Sequence, residues 1–248
     1  MAIAIDSYQA GPTNLQTMRA LFAKDWRFFR VPMLALIISA AASYLLIVGD
    51  ALVFGQTMAR DANPAAYHRL IVDSIGGGAA FSAVLTVLIA AAFGGTAIAA
   101  ERADRTADFL GLMPVTRMQV VLSKWFASFC MLGVWLLFQG AVAWVAVRAL
   151  SKYSPDNHQD ILNAVGLFAA LALCTFGVAW LFGSFTRSGP ISACLGIAAT
   201  AIACFLPEAV DHQHRPGELQ LWTAATVAMI GMCGLLAGTV IYLRRIAP

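Results

Sequence analysis

Six long stretches of the chain carry no charged residue: Val31 to Gly49, Ser74 to Ala100, Trp125 to Val147, Ile161 to Thr186, Ser188 to Pro207 and Leu221 to Leu243. Each has about the 20 residues that a helix needs to cross a hydrocarbon core of roughly 30 Å. The apolar residues in them are continuous rather than alternating. Lipid offers no water to unsatisfied peptide groups, so these runs read as helices and not as barrel strands. The pattern predicts an all-α polytopic membrane protein with six transmembrane helices, in which residues 31–248 form one membrane domain and residues 1–30 a polar N-terminus.

Ahead of the first run the periodicity changes. Leu15, Met18, Phe22, Trp26 and Phe29 recur at helical spacing from a polar cap at Thr13 or Asn14, while Gln16, Lys24, Arg27 and Arg30 lie mostly on the other side. A basic amphipathic helix with aromatics on its apolar side suits a membrane–water interface, with Lys24, Trp26, Arg27 and Arg30 at the headgroups. Spans four and five are separated only by a few residues around Arg187, which predicts a tight helical hairpin. Span five carries Ser192, Gly196, Thr200 and Cys204 at successive i+4 positions, and span six carries Gly234 and Gly238. Small residues at these spacings let helices approach closely, either within the chain or at a dimer seam.

Composition agrees with this reading: 60% of the 248 residues are hydrophobic and 12% charged, against roughly 25% charged in an average soluble domain. The first apolar run is a full span that begins only at Val31, which argues against a cleaved signal peptide. Eleven of the sixteen Lys and Arg fall before span one, between spans two and three, between four and five, or after six. The opposite loops hold Asp50, Asp61, Asp73, Asp156, Asp160, Glu208, Asp211 and Glu218. The positive-inside bias then places both termini and the 101–124 stretch in the cytoplasm. A net charge of +3 is explained by this topology and gives no reason to expect nucleic acid.

Several chemistries lack their residues. Only Lys24, Lys124 and Lys152 are lysines and none follows a glycine, so there is no Walker A loop. The six runs as drawn contain no Asp, Glu, Lys, Arg or His, which disfavours an ion-coupled transporter or an intramembrane enzyme. All five cysteines lie inside spans without a CxxC pair, so neither disulfides nor a metal site is expected. The outer segment with Asp211, His212 and His214 reads as an ordinary polar loop, and Met229, Met232 and Cys233 as gap-filling core residues. Span interiors offer mostly hydroxyls and one amide, Gln139, which suits a partly apolar substrate.

The segment ERADRTADFLGLMPVTRMQVVLSK, residues 101–124, stands out against this background. Glu101, Asp104, Arg105 and Asp108 share one face of a short helix, and Glu101 and Arg105 have the favourable acid-before-base order. Phe109, Leu110, Leu112 and Met113 gather apolar weight at its end, where Gly111 and Pro114 stop it. The chain then turns back to the membrane through the cationic stretch Arg117 to Lys124. Glu101-Arg102, Thr106, Phe109-Leu110, Pro114-Val115-Thr116-Arg117, Val120-Val121 and Ser123-Lys124 resemble the coupling-helix signature of ABC-2 type transporter permeases. Arg105 stands where that signature commonly has glycine, and Thr116 where it has serine.

The resemblance implies a permease subunit that works as a homodimer or a paralogous heterodimer in a bacterial-type inner membrane. Two copies of an ABC ATPase supply ATP hydrolysis, so ATP and Mg belong to the partner and this chain needs no cofactor and is no enzyme. The N-terminal helix becomes an elbow helix on the membrane surface. A cytoplasmic coupling helix over about 101–114 docks on the ATPase through Glu101, Arg102, Asp104, Arg105, Asp108, Phe109, Leu110, Met113 and Pro114. The transported substrate is expected to be amphipathic, lipid-like or a peptide, and exported. The competing reading is a membrane anchor or assembly factor that couples an ATPase to mechanical or regulatory work.

Overall fold

The computed structural model describes residues 16, 18–27 and 30, scattered positions between 33 and 53, residue 81, and residues 84–99, 116–150, 158–210 and 216–245. Outside the short link 184–188 and residue 116, these are all helical. We denote residues 18–27 as α1, Val84–Ala99 as α2, Arg117–Leu150 as α3, His158–Gly183 as α4, Gly189–Val210 as α5 and Pro216–Arg245 as α6. Within α3, α4 and α6, the stretches Arg117–Val142, Gly166–Gly183 and Leu221–Arg244 are long and apolar enough to cross a membrane, whereas Val84–Ala99 and Gly189–Phe205 are shorter apolar helices. The 101–115 segment and the loop residues 211–215 lie outside the described residues, as does most of span one.

The most extensive helix contact joins α4 to α6, and α5 packs on both. Glycines explain the closeness. A Cβ on Gly231 would fall 2.6 Å from the Cα and N of Cys174, one on Gly234 3.0 Å from the carbonyl of Gly177, and one on Gly238 2.9 Å from the Cα of Leu181. Lipid gives helices no hydrophobic reason to associate, so contact at backbone distance is what holds such a pair. The two glycines that the sequence offers either to packing or to a dimer seam thus face α4 of the same chain. Gly196 and Thr200 do likewise: Thr200 meets Thr175, and a Cβ on Gly196 would lie 3.0 Å from the carbonyl oxygen of Thr175, while the buried Ser192 meets Thr186 of the link at 2.6 Å.

Several hydroxyls and two indoles inside the bundle find partners there, whereas Trp125 Nε1 and Ser128 Oγ are buried without a hydrogen-bond partner. Thr175, Thr200 and Thr239 donate back to carbonyls four residues earlier, at 2.8, 2.9 and 2.8 Å. Thr175 and Thr200 also meet across α4 and α5 at 3.0 Å. Trp180 Nε1 donates to Thr239 Oγ1 at 3.2 Å, and Trp135 Nε1 to Thr86 Oγ1 at 2.7 Å. The expected hairpin is present: Phe185 and Thr186 N–H groups return to the carbonyl of Phe182, and Ser184 Oγ donates to the carbonyl of Gly238 at 3.0 Å, fastening the turn to α6.

Two sequence expectations need correction. The helix of span three starts at Arg117, two turns before Trp125, so Lys124 sits within a candidate span and not in a cationic turn. The cause is a capping box: Thr116 Oγ1 accepts from the Gln119 N–H at 3.3 Å while Gln119 Oε1 accepts from the Thr116 N–H at 2.9 Å. Met229, Met232 and Cys233 are exposed on α6 and fill no core gap. Together with Leu137, Ile202, Phe205 and Leu221, which are also uncovered, they give the bundle an apolar outside. That is the surface a helix bundle presents to hydrocarbon.

Candidate coupling site

The polar centre of the structure lies where α1 meets the start of α3. Asp25 is buried on α1, and both of its carboxylate oxygens are engaged by α3: Ser123 Oγ donates to Oδ2 at 3.0 Å, and Lys124 Nζ stands 3.8 Å from Oδ1. Ser123, Lys124 and Asp25 are 1%, 5% and 9% exposed, so the three groups satisfy one another largely out of solvent. A carboxylate removed from water needs this kind of partner.

Aromatic contacts flank the charges. Phe22 packs on Phe126 of α3 with ring centroids 5.2 Å apart and on Trp26 of its own helix at 5.7 Å. Beyond them Trp125 meets Trp180 at 6.4 Å, and Phe129 meets Phe176 at 5.6 Å, so the same end of α3 leans on α4 through rings. A further link reaches α6: Arg117 Nη1 donates to the carbonyl of Leu243 at 3.4 Å. The cation there faces the carbonyl end of a helix, where the backbone dipole favours it.

Of the residues expected at the membrane interface, Lys24, Arg27 and Arg30 are exposed and Trp26 is half-buried against the bundle. The residues expected to dock an ATPase, from Glu101 to Pro114, lie outside the described residues. The structure does describe where that segment delivers the chain, namely the capped start of α3 at Thr116. In the sequence pattern Ser123 belongs to the motif, Lys124 to the motif and to the cationic stretch, and Asp25 to neither. A signal was available: Asp25 lies three residues after Phe22 and seven after Met18, an acid on the apolar stripe of a basic helix.

A bundle with an uncovered apolar outside, three helices long and apolar enough to span a membrane among the described residues, and an ion pair at the start of the 34-residue α3 defines a multi-pass membrane protein. The family model for ABC-2 family transporter proteins matches residues 6–211, and the chain belongs to that family. It is therefore the membrane subunit of an ABC transporter, a kind of subunit that works with an ABC ATPase. Comparisons with curated proteins and with solved structures give no significant match.

Proposed function

We propose that this chain is a permease subunit that exports an amphipathic, lipid-like or peptide substrate, driven by ATP hydrolysed on two copies of a separate ABC ATPase. The supporting observation is the continuity of α3. A helix of 34 residues, about 50 Å at 1.5 Å per residue, carries the end of the motif in its first turns and runs unbroken from Arg117 to Leu150. A displacement applied to residues 101–115 then reaches the membrane interior along a rigid rod.

In this reading 101–114 is the coupling helix. Glu101, Arg102, Asp104, Arg105 and Asp108 make charged contacts with the ATPase, and Phe109, Leu110, Met113 and Pro114 form its apolar anchor. Both termini are cytoplasmic, α1 is the elbow helix, and a second permease subunit completes the pathway. The glycine and hydroxyl stripes are spent on packing within the chain, which leaves uncovered apolar faces such as that of Ile202 and Phe205 for lipid or for the second subunit.

Co-purification with candidate ABC ATPases from detergent tests the proposal. A stable complex that is lost on combined charge reversal, Glu101→Lys with Asp104→Lys, is the expected result. Failure of every candidate ATPase to bind overturns it, and binding that survives charge reversal overturns the assigned contacts. If the ATPase binds but reconstituted vesicles show no substrate-stimulated hydrolysis across a panel of lipids and amphipathic peptides, the chain is an anchor and not a transporter.

A further inference from the structure

The buried charges at the foot of α3 have a task that docking alone does not require. Asp25, Ser123 and Lys124 join α1 to α3 through both oxygens of one carboxylate, and Phe22 with Phe126 closes the contact on a neighbouring face. The link from the foot of α3 to α6 is of a different kind, a hydrogen bond of 3.4 Å from Arg117 to a main-chain carbonyl beside apolar contacts in which Val121 and Tyr242 share one cluster. Higher up, α3 touches α4 and α6 far less than α4, α5 and α6 touch one another. The molecule thus contains a body, α4 to α6, locked at backbone distance by glycines, and a rod, α3, which is ion-paired to α1 and joined to that body through apolar side chains such as Val121, Met131 and Trp135.

We infer that Asp25, Ser123 and Lys124 are positioning residues that make α1 a passenger of α3, so that α1 and the first turns of α3 move as one unit while the Arg117 link to α6 yields. The inference rests on the coupling role proposed above. Three features support the division. The ion pair is nearly excluded from solvent, so separating it exposes a bare charge to an apolar site, whereas the Arg117 contact exchanges readily for water or headgroups. The capping box at Thr116 fixes the first turn of α3, so motion entering there is not absorbed by fraying. Finally, α1 carries the exposed Lys24, Arg27 and Arg30, and a motion of α3 is thereby passed to a cationic surface helix at the headgroups.

Spin-label distances in the complex with its ATPase provide the test. In a background with the five native cysteines replaced, one pair is Ala23→Cys with Met118→Cys, spanning α1 and α3, and the other is Met118→Cys with Met229→Cys, spanning α3 and α6. All three positions are exposed. Between nucleotide-free and vanadate-trapped complex, the first distance is expected to hold within about 2 Å while the second shifts by more than that, the scale of helix shifts in switching proteins. Lys124→Met is expected to let the first distance change on trapping and broaden its distribution, without loss of bound ATPase. The charge exchange Asp25→Lys with Lys124→Asp restores the narrow, constant distance. Should Lys124→Met fail to fold, Ser123→Ala provides the weaker perturbation of the same contact.

A wild-type first distance that changes on trapping overturns the inference and leaves the coupling role standing. A Lys124→Met protein that is merely less stable, with its α1 to α3 distance constant in both states, also overturns it by showing a structural role only. A wild-type chain that binds no ATPase overturns the coupling role and this inference with it.

Discussion

At the scale of the residue, glycine decides where this bundle is tight. Gly177, Gly231, Gly234 and Gly238 lie where a Cβ would strike main-chain atoms of the facing helix, and a main chain cannot swing aside as a side-chain tip does. Gly231→Val is therefore expected to destabilise the protein by about 3 kcal/mol or more, at or beyond the upper end of ordinary overpacking. Gly133, with nothing within 4 Å of its Cβ position, makes the contrasting case. Gly133→Ala should be neutral or stabilising by up to about 1 kcal/mol, the helix preference of alanine over glycine. Denaturation of the two variants in mixed micelles, read by tryptophan fluorescence, separates them. Thr239→Val should cost about 1–3 kcal/mol in the same assay, since it leaves the buried Trp180 indole N–H without its acceptor. The spacing of Gly234 and Gly238 was legible in the sequence. The partner was not, because GxxxG spacing marks a close approach without saying to which helix.

At the scale of the element, α3 depends on its start. The Thr116 and Gln119 box was readable as T-x-x-Q two residues after Pro114 and before an apolar run, yet the charges Arg117 and Lys124 obscure it in a reading based on uncharged length. The ion pair makes a sharper prediction. Lys124→Met alone leaves a buried carboxylate with one partner gone and should cost about 3–5 kcal/mol, whereas Lys124→Met combined with Asp25→Leu should recover most of that loss. A double-mutant cycle on the unfolding midpoint checks this, and additive losses would show that the two side chains do not stabilise one another. Helix α1 could be drawn from its period and its charges. The spacing of its one acid from Phe22 and Met18 hinted that Asp25 faces the bundle, but nothing local names the serine and lysine that meet it there.

At the scale of the whole molecule, the packing is uneven in a way that suits a machine driven from one end. α4, α5 and α6 share glycine contacts and paired hydroxyls, whereas α3 meets them through apolar and aromatic side chains and a bond from Arg117 to a main-chain carbonyl, without close backbone approach. Hydrogen exchange in detergent should accordingly find the amides of 174–181 and 231–238 the slowest in the chain, with 18–27 and 117–126 exchanging faster as a separate group. Equal protection throughout would contradict the division into rod and body.

What the sequence determined by itself is the content of the membrane. Hydropathy and charge are read one residue at a time, and a bilayer sorts helices by those same quantities, so the long apolar helices over 117–142, 166–183 and 221–244, the hairpin at 184–188 and membership of a membrane family were legible. The tertiary structure alone decided which helix each small residue faces, where the apolar outside lies, and that Asp25 meets Ser123 across 98 positions of chain. Such pairings depend on rotations and translations of whole helices. These are set by the sum of many contacts over a fold, and no local pattern in the chain encodes them.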